Sequence, residues 1–481
     1  MKLKALVRGL PVKVVGSKDC EVFGLSLDSR KTAPKDLFIA QKGSTQDGAA
    51  FIEEAALAGA SALVVPFYNP FLKIPQIVTE DPASVTSILA ARFYGEPSKE
   101  LWVAGVTGSK GKTTTCYLIH YLLEELRYAP GLLSTVEWVV GKRRLPSLLT
   151  TQDVISNQKL LREMVDAGSK AAVLEVSSHG LAQDRVEGIE FQVALFTNLF
   201  PDHLDYHQTL HAYATEKKKL FQLAPFAIYN ADSPWTEFMK EKGDFLTFGI
   251  DHPADIFAEE IRFEKKETIF RVKGELFASS LTGKFNLLNL LGAIAVGVHL
   301  GIDLPQLSSI FRKTFLIPGR MERVSSQTGV ELFVDYAHTG EALDQVLRSL
   351  KDLAPKKLIV VFGCGGGRDP MRRKEMGIAA SKWADDVIVT TDNPRGEEPE
   401  EICRQILEHV SPEKAIFEID RAKAIRLAIQ MANPGDLILI AGKGHEKTQV
   451  FKHRTLPFDD VLIAKEELQK RTPSGILSSF A

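Results

Sequence analysis

The sequence predicts an α/β protein with three domains, and three observations support this fold class. With 481 residues, the chain is too long for a single ordinary hydrophobic core. Short apolar runs typical of strands alternate with helical patterns, and such alternation predicts largely parallel sheets. Clusters of proline and glycine interrupt the alternation near residues 97 and 318. We therefore expect domains at 1–97, 98–317 and 318–481.

The composition describes a globular protein and disfavours several classes of partner. Hydrophobic residues make up 44% of the chain and charged residues 25%. The formal net charge of −2 offers no basic surface for DNA or RNA, so we expect no nucleic-acid partner. Four cysteines occur without disulfide or zinc spacing, which fits a reducing compartment. Because the sequence shows no signal-peptide core and no membrane-length apolar run, we expect a cytoplasmic protein that binds no membrane. We also expect a monomer.

Residues 1–97 predict a small mixed α/β domain. Strand-like runs lie at 37–40, 62–66 and 76–79, and a helical segment covers 49–58. The block ends at a Gly-Glu-Pro-Ser sequence, which is typical of a domain boundary.

A glycine-rich loop opens the second domain and is the most informative motif of the chain. Residues 104–115 read Ala-Gly-Val-Thr-Gly-Ser-Lys-Gly-Lys-Thr-Thr-Thr, between an apolar strand at 101–106 and a helix at 114–126. In such a loop, backbone N–H groups surround phosphates, the lysine reaches the β- and γ-phosphates, and a threonine hydroxyl ligates Mg²⁺. The standard motif has glycine where this chain has Val106, and an ordinary strand–helix turn is the alternative. The residues expected to bind a nucleoside triphosphate are Gly108, Ser109, Lys110, Gly111, Lys112, Thr113 and Thr114.

The remainder of the second domain predicts a mostly parallel sheet. Strands are expected at 171–176, 193–197 and 226–230, followed by a β-rich stretch at 245–282 and a helix at 286–300. Glu175 lies at the end of a buried strand, where an acidic residue is the usual second ligand of a nucleotide-bound Mg²⁺. The alternative role for Glu175 is that of a helix-cap partner.

Two polar segments follow in the second domain. Asp202, His203, Asp205 and His207 lie close together in sequence, and read alone this cluster fits a zinc site equally well. Beside a phosphate loop, a second Mg²⁺ is the favoured interpretation. A lysine triplet at 217–219 on a predicted helix is typical of a solvated face.

The third domain predicts a Rossmann-like α/β fold with strands at 332–335, 357–362, 386–390 and 437–441. A polar segment follows each of these strands. Each segment alone is typical of a turn with surface charges. Four such segments on one edge of a sheet predict a binding face instead. The segments cover 335–339, 363–369, 392–395 and 442–446.

These segments, in this order, resemble the Mur ligase family, the ATP-dependent enzymes that form amide bonds in peptidoglycan precursor synthesis. The resemblance covers essentially the whole chain. It rests on the phosphate loop, Glu175, Asn198 with 202–205, and the segments 283–289, 318–322 and 335–338. Within the family, segments 27–38, 175–185 and 392–395 resemble members that add the third residue to UDP-N-acetylmuramoyl-L-alanyl-D-glutamate.

The resemblance implies roles that spacing alone does not give. Thr113, Glu175 and His203 match positions that bind Mg²⁺, and Lys217 matches a lysine whose carbamylation creates a ligand for the second Mg²⁺. Positions that hold the UDP-sugar-dipeptide are matched by Ser29, Thr150, Thr151, Ser177, Gln183 and Arg185. Nucleotide contacts near the third domain are matched by Asn286, Asn289 and Arg320.

The resemblance also implies the third amino acid, meso-diaminopimelate. Members that add it carry arginine after Asp-Asn-Pro, and this chain has Arg395 at that position. The guanidinium of this arginine forms a bidentate contact with the distal carboxylate of diaminopimelate, a group that lysine lacks. The run 372–375 departs from the family pattern, so either Arg372 or Arg373 is the matching contact. The residues implied around the amino acid are Arg373, Asp392, Asn393, Pro394, Arg395, Gly442 and Glu446.

The reaction that the resemblance implies runs through an acyl phosphate. ATP phosphorylates the γ-carboxylate of the D-glutamyl residue, and the amine of diaminopimelate displaces phosphate, with closure of the third domain excluding water. Lys112, Lys217 and His203 belong to this catalytic centre. Asp335, His338 and His179 are candidates for orienting ATP or accepting the amine proton.

Three other functions remain as alternatives. A lysine-adding member of the family differs only around Arg395. A folylpolyglutamate synthetase shares the phosphate loop but lacks the first domain. A P-loop ATPase that drives a protein partner would hydrolyse ATP without any amino acid.

Overall fold

The computed structural model describes residues 1–43, 46–264, 267–313, 316–324 and 328–471. The chain divides into two compact units, Met1–Asp255 and Ile256–Ala481. The first unit contains the predicted first domain and most of the second. The boundaries that we placed at residues 97 and 317 stay predictions.

The first sheet of the first unit has five strands in the order β1-β5-β4-β3-β2, with β1 antiparallel to β5 and the other neighbours parallel. The strands are β1 (Lys13–Val15), β2 (Gly24–Ser26), β3 (Asp36–Ile39), β4 (Ala62–Val65) and β5 (Gln76–Val78). The helices are α1 (Leu3–Leu6), α2 (Ile52–Leu57) and α3 (Pro82–Phe93). The side chain of Asp81 caps α3, and Pro82 occupies its first turn, where a missing N–H costs nothing.

The second sheet of this unit carries the phosphate loop. Its strands lie in the order β13-β12-β11-β6-β10-β7-β8-β9. They are β6 (Trp102–Thr107), β7 (Gly131–Leu133), β8 (Glu137–Val140), β9 (Arg143–Pro146), β10 (Ala171–Glu175), β11 (Val193–Phe196), β12 (Phe226–Asn230) and β13 (Asp244–Gly249). The helices are α4 (Lys112–Glu125), α5 (Val154–Asp166), α6 (Ser178–Ala182), α7 (Leu204–His207), α8 (Leu210–Gln222) and α9 (Thr236–Met239). The strands from β13 to β7 are parallel, whereas β7, β8 and β9 are antiparallel neighbours.

The central strands of this sheet are apolar on both faces because helices cover both faces. Strand β6 lies between β10 and β11, so the carboxyl ends of these three parallel strands meet at one edge. This register places residues 108, 176 and 197 at the same edge, which is where an open parallel sheet binds its ligands.

The second unit begins with an antiparallel meander and two helices. Its elements are β14 (Ile256–Phe263), β15 (Thr268–Val272), β16 (Glu275–Ser279), α10 (Lys284–His299) and α11 (Leu304–Phe311). The side chain of Asp303 caps α11 through the N–H of Gln306.

A six-stranded sheet forms the rest of the second unit, in the order β17-β18-β22-β19-β20-β21. Its strands are β17 (Glu322–Val324), β18 (Glu331–Asp335), β19 (Leu358–Phe362), β20 (Asp386–Val389), β21 (Ala415–Phe417) and β22 (Leu437–Ala441). A hairpin of β23 (Thr448–Val450) and β24 (Thr455–Pro457) follows. The helices are α12 (Gly340–Lys351), α13 (Met371–Trp383), α14 (Pro399–Leu407), α15 (Arg421–Met431) and α16 (Asp460–Arg471).

The pairing of this sheet confirms that the four polar segments share one edge, whereas binding at that edge stays a prediction. Strands β18, β22, β19 and β20 are adjacent and parallel, so their carboxyl ends share one edge. The four polar segments that follow these strands therefore lie along that edge. Within the part of the chain that is described, no helix is long and apolar enough to cross a membrane.

Candidate functional site

The glycine-rich loop joins β6 to α4 in a conformation that requires glycine. Gly108 has a φ of 147° and Gly111 a φ of 83°, values that side chains disfavour. A Cβ at Gly108 would lie 1.9 Å from the hydroxyl oxygen of Thr197. The loop therefore approaches the end of β11 closely enough to exclude any side chain at residue 108.

Asn198 fixes the loop from the neighbouring strand end. Its backbone carbonyl accepts the N–H of Ser109 at 2.9 Å, and its side-chain oxygen accepts the N–H of Lys110 at 2.9 Å. The Ser109 hydroxyl lies 3.1 Å from the hydroxyl of Tyr213 and accepts the N–H of Phe200. These bonds preform the loop, so little backbone entropy remains to be lost when a phosphate binds.

Lys112 begins helix α4 and folds back over the loop. Its ammonium donates to the carbonyl oxygens of Gly108 and Ser109, each at 3.0 Å. Lys110 instead forms an ion pair with Asp202 at 3.0 Å. The positive end of the α4 dipole adds to the charge of Lys112, and together they favour an anion at this edge.

Thr113 and Glu175 bring two oxygen ligands together. The Thr113 hydroxyl donates to Glu175 Oε2 at 3.0 Å, and the N–H of Thr135 donates to the same oxygen at 2.9 Å. Thr113 and Glu175 are both buried. Ser177, rather than Glu175, caps the following helix α6. This oxygen pair beside a phosphate loop suits a hard cation such as Mg²⁺.

Lys217 lies on the buried face of α8 and is only 1% exposed. Its nitrogen donates to the carbonyl oxygen of Gly108 at 2.7 Å and lies 4.5 Å from the ring centre of Tyr213. Burial, followed by repulsion from Lys112, lowers the pKa of Lys217 well below its usual value. The prediction of a solvated face is therefore wrong for Lys217, because the helix turns this lysine into the core beneath the loop.

His203 borders the same site in the left-handed conformation, with a φ of 55°. Its ring centre lies 4.9 Å from that of His179. Partial desolvation lowers the pKa of His203 to about 4, so its imidazole is neutral and able to act as a ligand at pH 7. The zinc alternative requires several side chains to converge, and the described residues contain no group of three or more such His, Cys, Asp or Glu side chains.

A connected set of polar side chains extends along this edge from β10. Thr151 donates to the carbonyl oxygen of Glu175 at 2.9 Å and contacts the Ser177 hydroxyl at 3.1 Å. Arg185 donates to the carbonyl oxygen of Thr151 at 2.7 Å and to Gln183 Oε1 at 2.7 Å. The structure thus brings together four of the six residues expected to hold the UDP-sugar-dipeptide.

The two remaining substrate residues lie in the same unit. Thr150 accepts the hydroxyl of Thr135 at 3.0 Å, which links it to the N–H that binds Glu175. Ser29 is buried near the end of β2 and donates to Glu54 at 2.9 Å. Both hydroxyls are therefore ordered by neighbouring side chains.

The residues expected on the nucleotide side of the third domain all belong to the second unit. Asn286 and Asn289 lie on α10 and are buried, and Asn289 donates to Asn286 Oδ1 at 3.5 Å. The Arg320 guanidinium lies 4.5 Å from the ring centre of Tyr336. Stacking on that ring fixes the plane of the guanidinium.

Asp335 and His338 support the turn after β18. The two carboxylate oxygens of Asp335 accept the N–H groups of Met321 at 2.7 Å and Ala337 at 2.8 Å. Burial raises the pKa of Asp335. His338 Nδ1 lies 2.8 Å from the carbonyl oxygen of Tyr336. These contacts give Asp335 a structural task, whereas the catalytic roles of Asp335 and His338 stay predictions.

Arg395 sits in the turn after β20, with a φ of 52°. Its side-chain Nη1 donates to the carbonyl oxygen of Gly366 at 2.6 Å, and its backbone N–H donates to the carbonyl oxygen of Val450 at 2.9 Å. No other hydrogen bond of this guanidinium is found among the described residues. The remaining donors of Arg395 are therefore available for a carboxylate.

Asn393, Lys443 and Glu446 form a closed triangle at the ends of β20 and β22. Lys443 is fully buried and donates to Asn393 Oδ1 and Glu446 Oε2, each at 3.0 Å. Asn393 Nδ2 donates to the same Glu446 oxygen at 2.7 Å. A Cβ at Gly442 would lie 2.6 Å from Asp392 Oδ2, so the backbone there passes close to that carboxylate.

Arg373 is the buried member of the arginine pair, with 3% of its surface exposed, whereas Arg372 is half-buried. Arg373 donates to Gln405 at 2.7 Å and to Glu397 at 2.7 Å. Its guanidinium therefore binds Glu397, two residues beyond the segment Asp392, Asn393, Pro394 and Arg395.

Lys443 and Glu397 form hydrogen bonds to predicted site residues, and the sequence did not single them out although both lie within or beside motifs that it did. Their signals were weak because an isolated lysine or glutamate in a loop is usually solvated. Thr135 was also missed, because the β7–β8 turn that carries it was not predicted.

A phosphate loop at the edge of a parallel sheet, followed by a second α/β unit with a polar edge, defines a nucleotide-dependent enzyme of more than one domain. Comparison with known families identifies which one. The description "Mur ligase family, catalytic domain" matches residues 21–94, "Mur ligase middle domain" matches 106–297, and "Mur ligase, glutamate ligase domain" matches 319–444. The chain belongs to the Mur ligase family. It has the three-domain α/β fold of that family and is an ATP-dependent ligase.

Relatives match over the full length of the chain. A UDP-N-acetylmuramoyl-L-alanyl-D-glutamate–2,6-diaminopimelate ligase of Chlamydia abortus is 40% identical and is covered over 100% of both chains. The enzyme of the same name from Caldanaerobacter subterraneus is 37% identical over 97% of this chain and 99% of its own.

Solved structures share the fold. A solved structure of a UDP-N-acetylmuramoyl-L-alanyl-D-glutamate–2,6-diaminopimelate ligase is 31% identical to this chain. Its TM-score is 0.70, and the match covers 98% of this chain and 99% of the other. A MurF ligase from Thermotoga maritima in complex with ADP is 21% identical, with a TM-score of 0.64 and coverage of 95% and 100%. This second likeness shows the fold alone.

Proposed function

We propose that the chain adds meso-2,6-diaminopimelate to the D-glutamyl γ-carboxylate of UDP-N-acetylmuramoyl-L-alanyl-D-glutamate, with ATP as the phosphoryl donor. The observation that carries this proposal is the match, at 40% identity over the whole chain, to a relative named for that reaction. The preformed phosphate loop and the amino-acid loops of the second unit supply physical support for each half of the chemistry.

The first half of the reaction is transfer of the γ-phosphoryl group to the carboxylate, which gives an acyl phosphate and ADP. The loop N–H groups and the Lys112 ammonium neutralise charge on the phosphates, and this type of preorganised stabilisation is the main source of catalysis in phosphoryl transfer. In neither half of the ligase reaction does a side chain attack the phosphoryl or acyl group.

The residues at the loop fit Mg²⁺. Thr113 and Glu175 present adjacent oxygens, and neutral His203, whose pKa is lowered by burial, lies near enough to Lys112 for that charge to lower the pKa further. Mg²⁺, when bound, supplies positive charge to the phosphate oxygens. Thr113, Glu175 and His203 are the residues that would hold it.

Lys217 is proposed to be carbamylated. Burial lowers the pKa of its nitrogen and so favours the uncharged amine, which is the form that attacks CO₂. The nitrogen forms a bond to the carbon of CO₂, a carbon–oxygen π pair moves onto oxygen, and a proton leaves the nitrogen. The product is a carboxylate beside the loop, where a second Mg²⁺ would find an oxygen ligand.

The second half of the reaction is attack by an amine of diaminopimelate on the acyl phosphate, which forms the amide and releases phosphate. Arg395 retains donors for the distal carboxylate, and Glu446 presents a carboxylate for an ammonium group. Lysine lacks the distal carboxylate and would leave the Arg395 donors unpaired. An unpaired charged group of this kind costs roughly 2–3 kcal/mol, or about 30- to 150-fold in binding.

Phosphate release tests the proposal directly. The enzyme would be incubated with ATP, Mg²⁺ and UDP-N-acetylmuramoyl-L-Ala-D-Glu, and meso-diaminopimelate would be compared with L-lysine. We expect release that depends on diaminopimelate. Equal use of lysine would retain the ligase but reject the role of Arg395.

Release that depends on neither amino acid would favour the alternative of an ATPase that serves a protein partner. Gel filtration with light scattering of the same preparation checks the expected monomer.

A further inference from the structure

We propose that Glu397 is a positioning residue for amino-acid recognition, because it joins the glycine run at 363–367 to Arg373 and so presets the guanidinium of Arg395. The inference rests on the proposed function, in which Arg395 binds the distal carboxylate of diaminopimelate. It assigns a task to a residue that does not itself contact the substrate.

Glu397 uses each carboxylate oxygen on a different element. Oε1 accepts the N–H of Gly367 at 2.6 Å, in the loop after β19. Oε2 accepts Nη2 of Arg373 at 2.7 Å, on helix α13. The N–H of Glu397 donates to the carbonyl oxygen of Pro394 at 3.0 Å, which closes the turn that contains Arg395. One side chain therefore links a strand-end loop, a helix and its own turn.

The loop that Glu397 holds is the loop that holds Arg395. Arg395 Nη1 donates to the carbonyl oxygen of Gly366, the residue next to Gly367. The N–H of Gly366 in turn donates to the carbonyl oxygen of Asn393 at 2.9 Å. A shift of the glycine run therefore moves the acceptor that orients the arginine fork.

Close packing leaves little freedom for an alternative arrangement. A Cβ at Gly366 would lie 2.0 Å from the carbonyl oxygen of Pro394. The two loops are thus in direct backbone contact, and Glu397 is the ionised group that fixes their register. A fork placed about 1 Å away from its productive position loses much of its benefit.

Glu397 also balances the charge of Arg373. That guanidinium is 3% exposed, and its other terminal nitrogen binds Gln405, which is uncharged. Removal of the carboxylate would take the direct ion pair away from a buried cation and leave it with the more distant charge of Glu401. The Arg373 guanidinium would then lose the contact that ties it to the turn of Arg395.

The test is a steady-state comparison of Glu397→Gln with wild type and with Glu398→Gln. Glutamine keeps the shape, but its neutral amide oxygen is a weaker acceptor for the N–H of Gly367 than a carboxylate, and its NH₂ group faces Arg373. Glu398 is the exposed neighbour and serves as the matched control. For Glu397→Gln we expect KM for diaminopimelate to rise about tenfold or more, with kcat nearly unchanged.

The KM values for ATP and the UDP-dipeptide should stay at the wild-type values in both variants. Glu397→Gln should also lose part of the preference for diaminopimelate over lysine, whereas Glu398→Gln should keep it. Glu397→Asp keeps the charge but shortens the reach, so it should recover part of the loss. A merely structural role would lower kcat and raise all three KM values together, and that result would overturn the proposal, as would an unchanged KM for diaminopimelate.

Hydrogen exchange separates this inference from the proposed function. Faster amide exchange in residues 363–367 of Glu397→Gln, with no change in Glu398→Gln, is expected whatever the amino-acid substrate is. If the wild-type enzyme does not use diaminopimelate, the proposed function fails, while the exchange result still tests whether Glu397 holds the loop 363–367 in place. Unchanged exchange at 363–367 would reject that positioning role.

Discussion

The two units present charge to their ligands in different ways. In the first unit, the Lys112 ammonium donates to backbone carbonyl oxygens of the phosphate loop at the amino-terminal end of α4. In the second unit, Arg373 and Lys443 are paired with the carboxylates of Glu397 and Glu446. The first arrangement leaves a positive field for a strongly anionic triphosphate. The second is a nearly balanced frame that reads the positions of charges on a zwitterion.

The difference suggests where specificity is located. A positive field binds any phosphate chain, because Coulomb attraction depends weakly on exact geometry. A balanced frame gains little from net charge, so a ligand must match each donor and acceptor in place. Substitutions in the first unit should therefore abolish the reaction, whereas substitutions in the second should change which amino acid is used.

Lys112→Met should have the largest effect. The variant removes the ammonium that lies over the loop, and we expect kcat to fall by about 10³-fold or more. Lys110→Met is the matched control, since that lysine pairs with Asp202, and it should lose about tenfold or less. Single-turnover acyl phosphate formation measures both. Comparable losses in the two variants would contradict the distinct role of Lys112.

Lys217→Ala should be nearly as severe, with a loss of about 10²- to 10³-fold in kcat. If the lysine works as a carbamate, then short carboxylates such as acetate or formate added to the variant should restore part of the activity. The same carboxylates added to Lys218→Ala, which changes the next lysine of the triplet, should have no effect. Absence of rescue would count against the carbamate and favour the ammonium itself as the active group.

Arg395→Ala should act on the second unit alone. We expect kcat/KM for diaminopimelate to fall by about 10²-fold, while phosphate release with lysine stays equal or rises. Arg372→Ala is the control for the neighbouring, half-buried arginine, and Arg373→Ala should resemble Arg395→Ala more closely than Arg372→Ala does. Full activity of Arg395→Ala with diaminopimelate would contradict the proposed role of Arg395 in binding the distal carboxylate.

Lys443→Met should sharpen the same contrast at smaller cost. The substitution removes the buried cation from the triangle with Asn393 and Glu446, and KM for diaminopimelate should rise by about tenfold. The KM for ATP should be unaffected. An equal rise in the KM values of ATP and diaminopimelate would mean that the triangle supports the unit as a whole.

Acid should weaken the first unit through the phosphate-loop helix. His120 is buried on α4, and burial lowers its pKa to about 4 from the usual 6.5. Because the unfolded chain takes up this proton first, the free energy of unfolding falls between about pH 6.5 and pH 4, and the group has no effect above pH 6.5. The loss from one such group is at most about 3 kcal/mol.

Thermal unfolding checks this last prediction. His120→Asn should show a smaller decrease in Tm from pH 7.5 to pH 5 than wild type, by a few degrees. His252→Asn, at an exposed position, is the control and should follow wild type. Parallel behaviour of all three proteins would show that other groups set the acid response.

The sequence predicted the strands of both parallel sheets well because their signals are local. Strands such as β10, β19 and β22 are continuous apolar runs bounded by polar residues, and the predicted ends agree with the structure to within about a residue. The antiparallel strands β7, β8 and β9 were missed. Strand β9 reads Arg-Arg-Leu-Pro, a polar composition without a strand signal, and its pairing with β8 holds it in place.

The site divides in the same way. Residues 108–114 were identified from an order of residue types that has a direct physical purpose. Lys217 could not be separated from Lys218 and Lys219 by composition, because only tertiary packing decides which lysine of a triplet faces inward. Glu397 and Lys443 depend on partners 30 and 50 residues away, at Gly367 and Asn393, and single-sequence periodicity does not report such contacts.

The glycines of the two anion-facing loops differ in a way that bears on how the protein tolerates change. At Gly108, an added methyl group would overlap the Thr197 hydroxyl, so no amino acid other than glycine fits without moving β11. At Gly367, φ is 62° and nothing lies within 4 Å of an added Cβ, so asparagine, which often adopts this conformation, fits there. Among natural variants, residue 108 should almost always be glycine, whereas residue 367 should vary, even though both belong to glycine-rich loops of similar sequence.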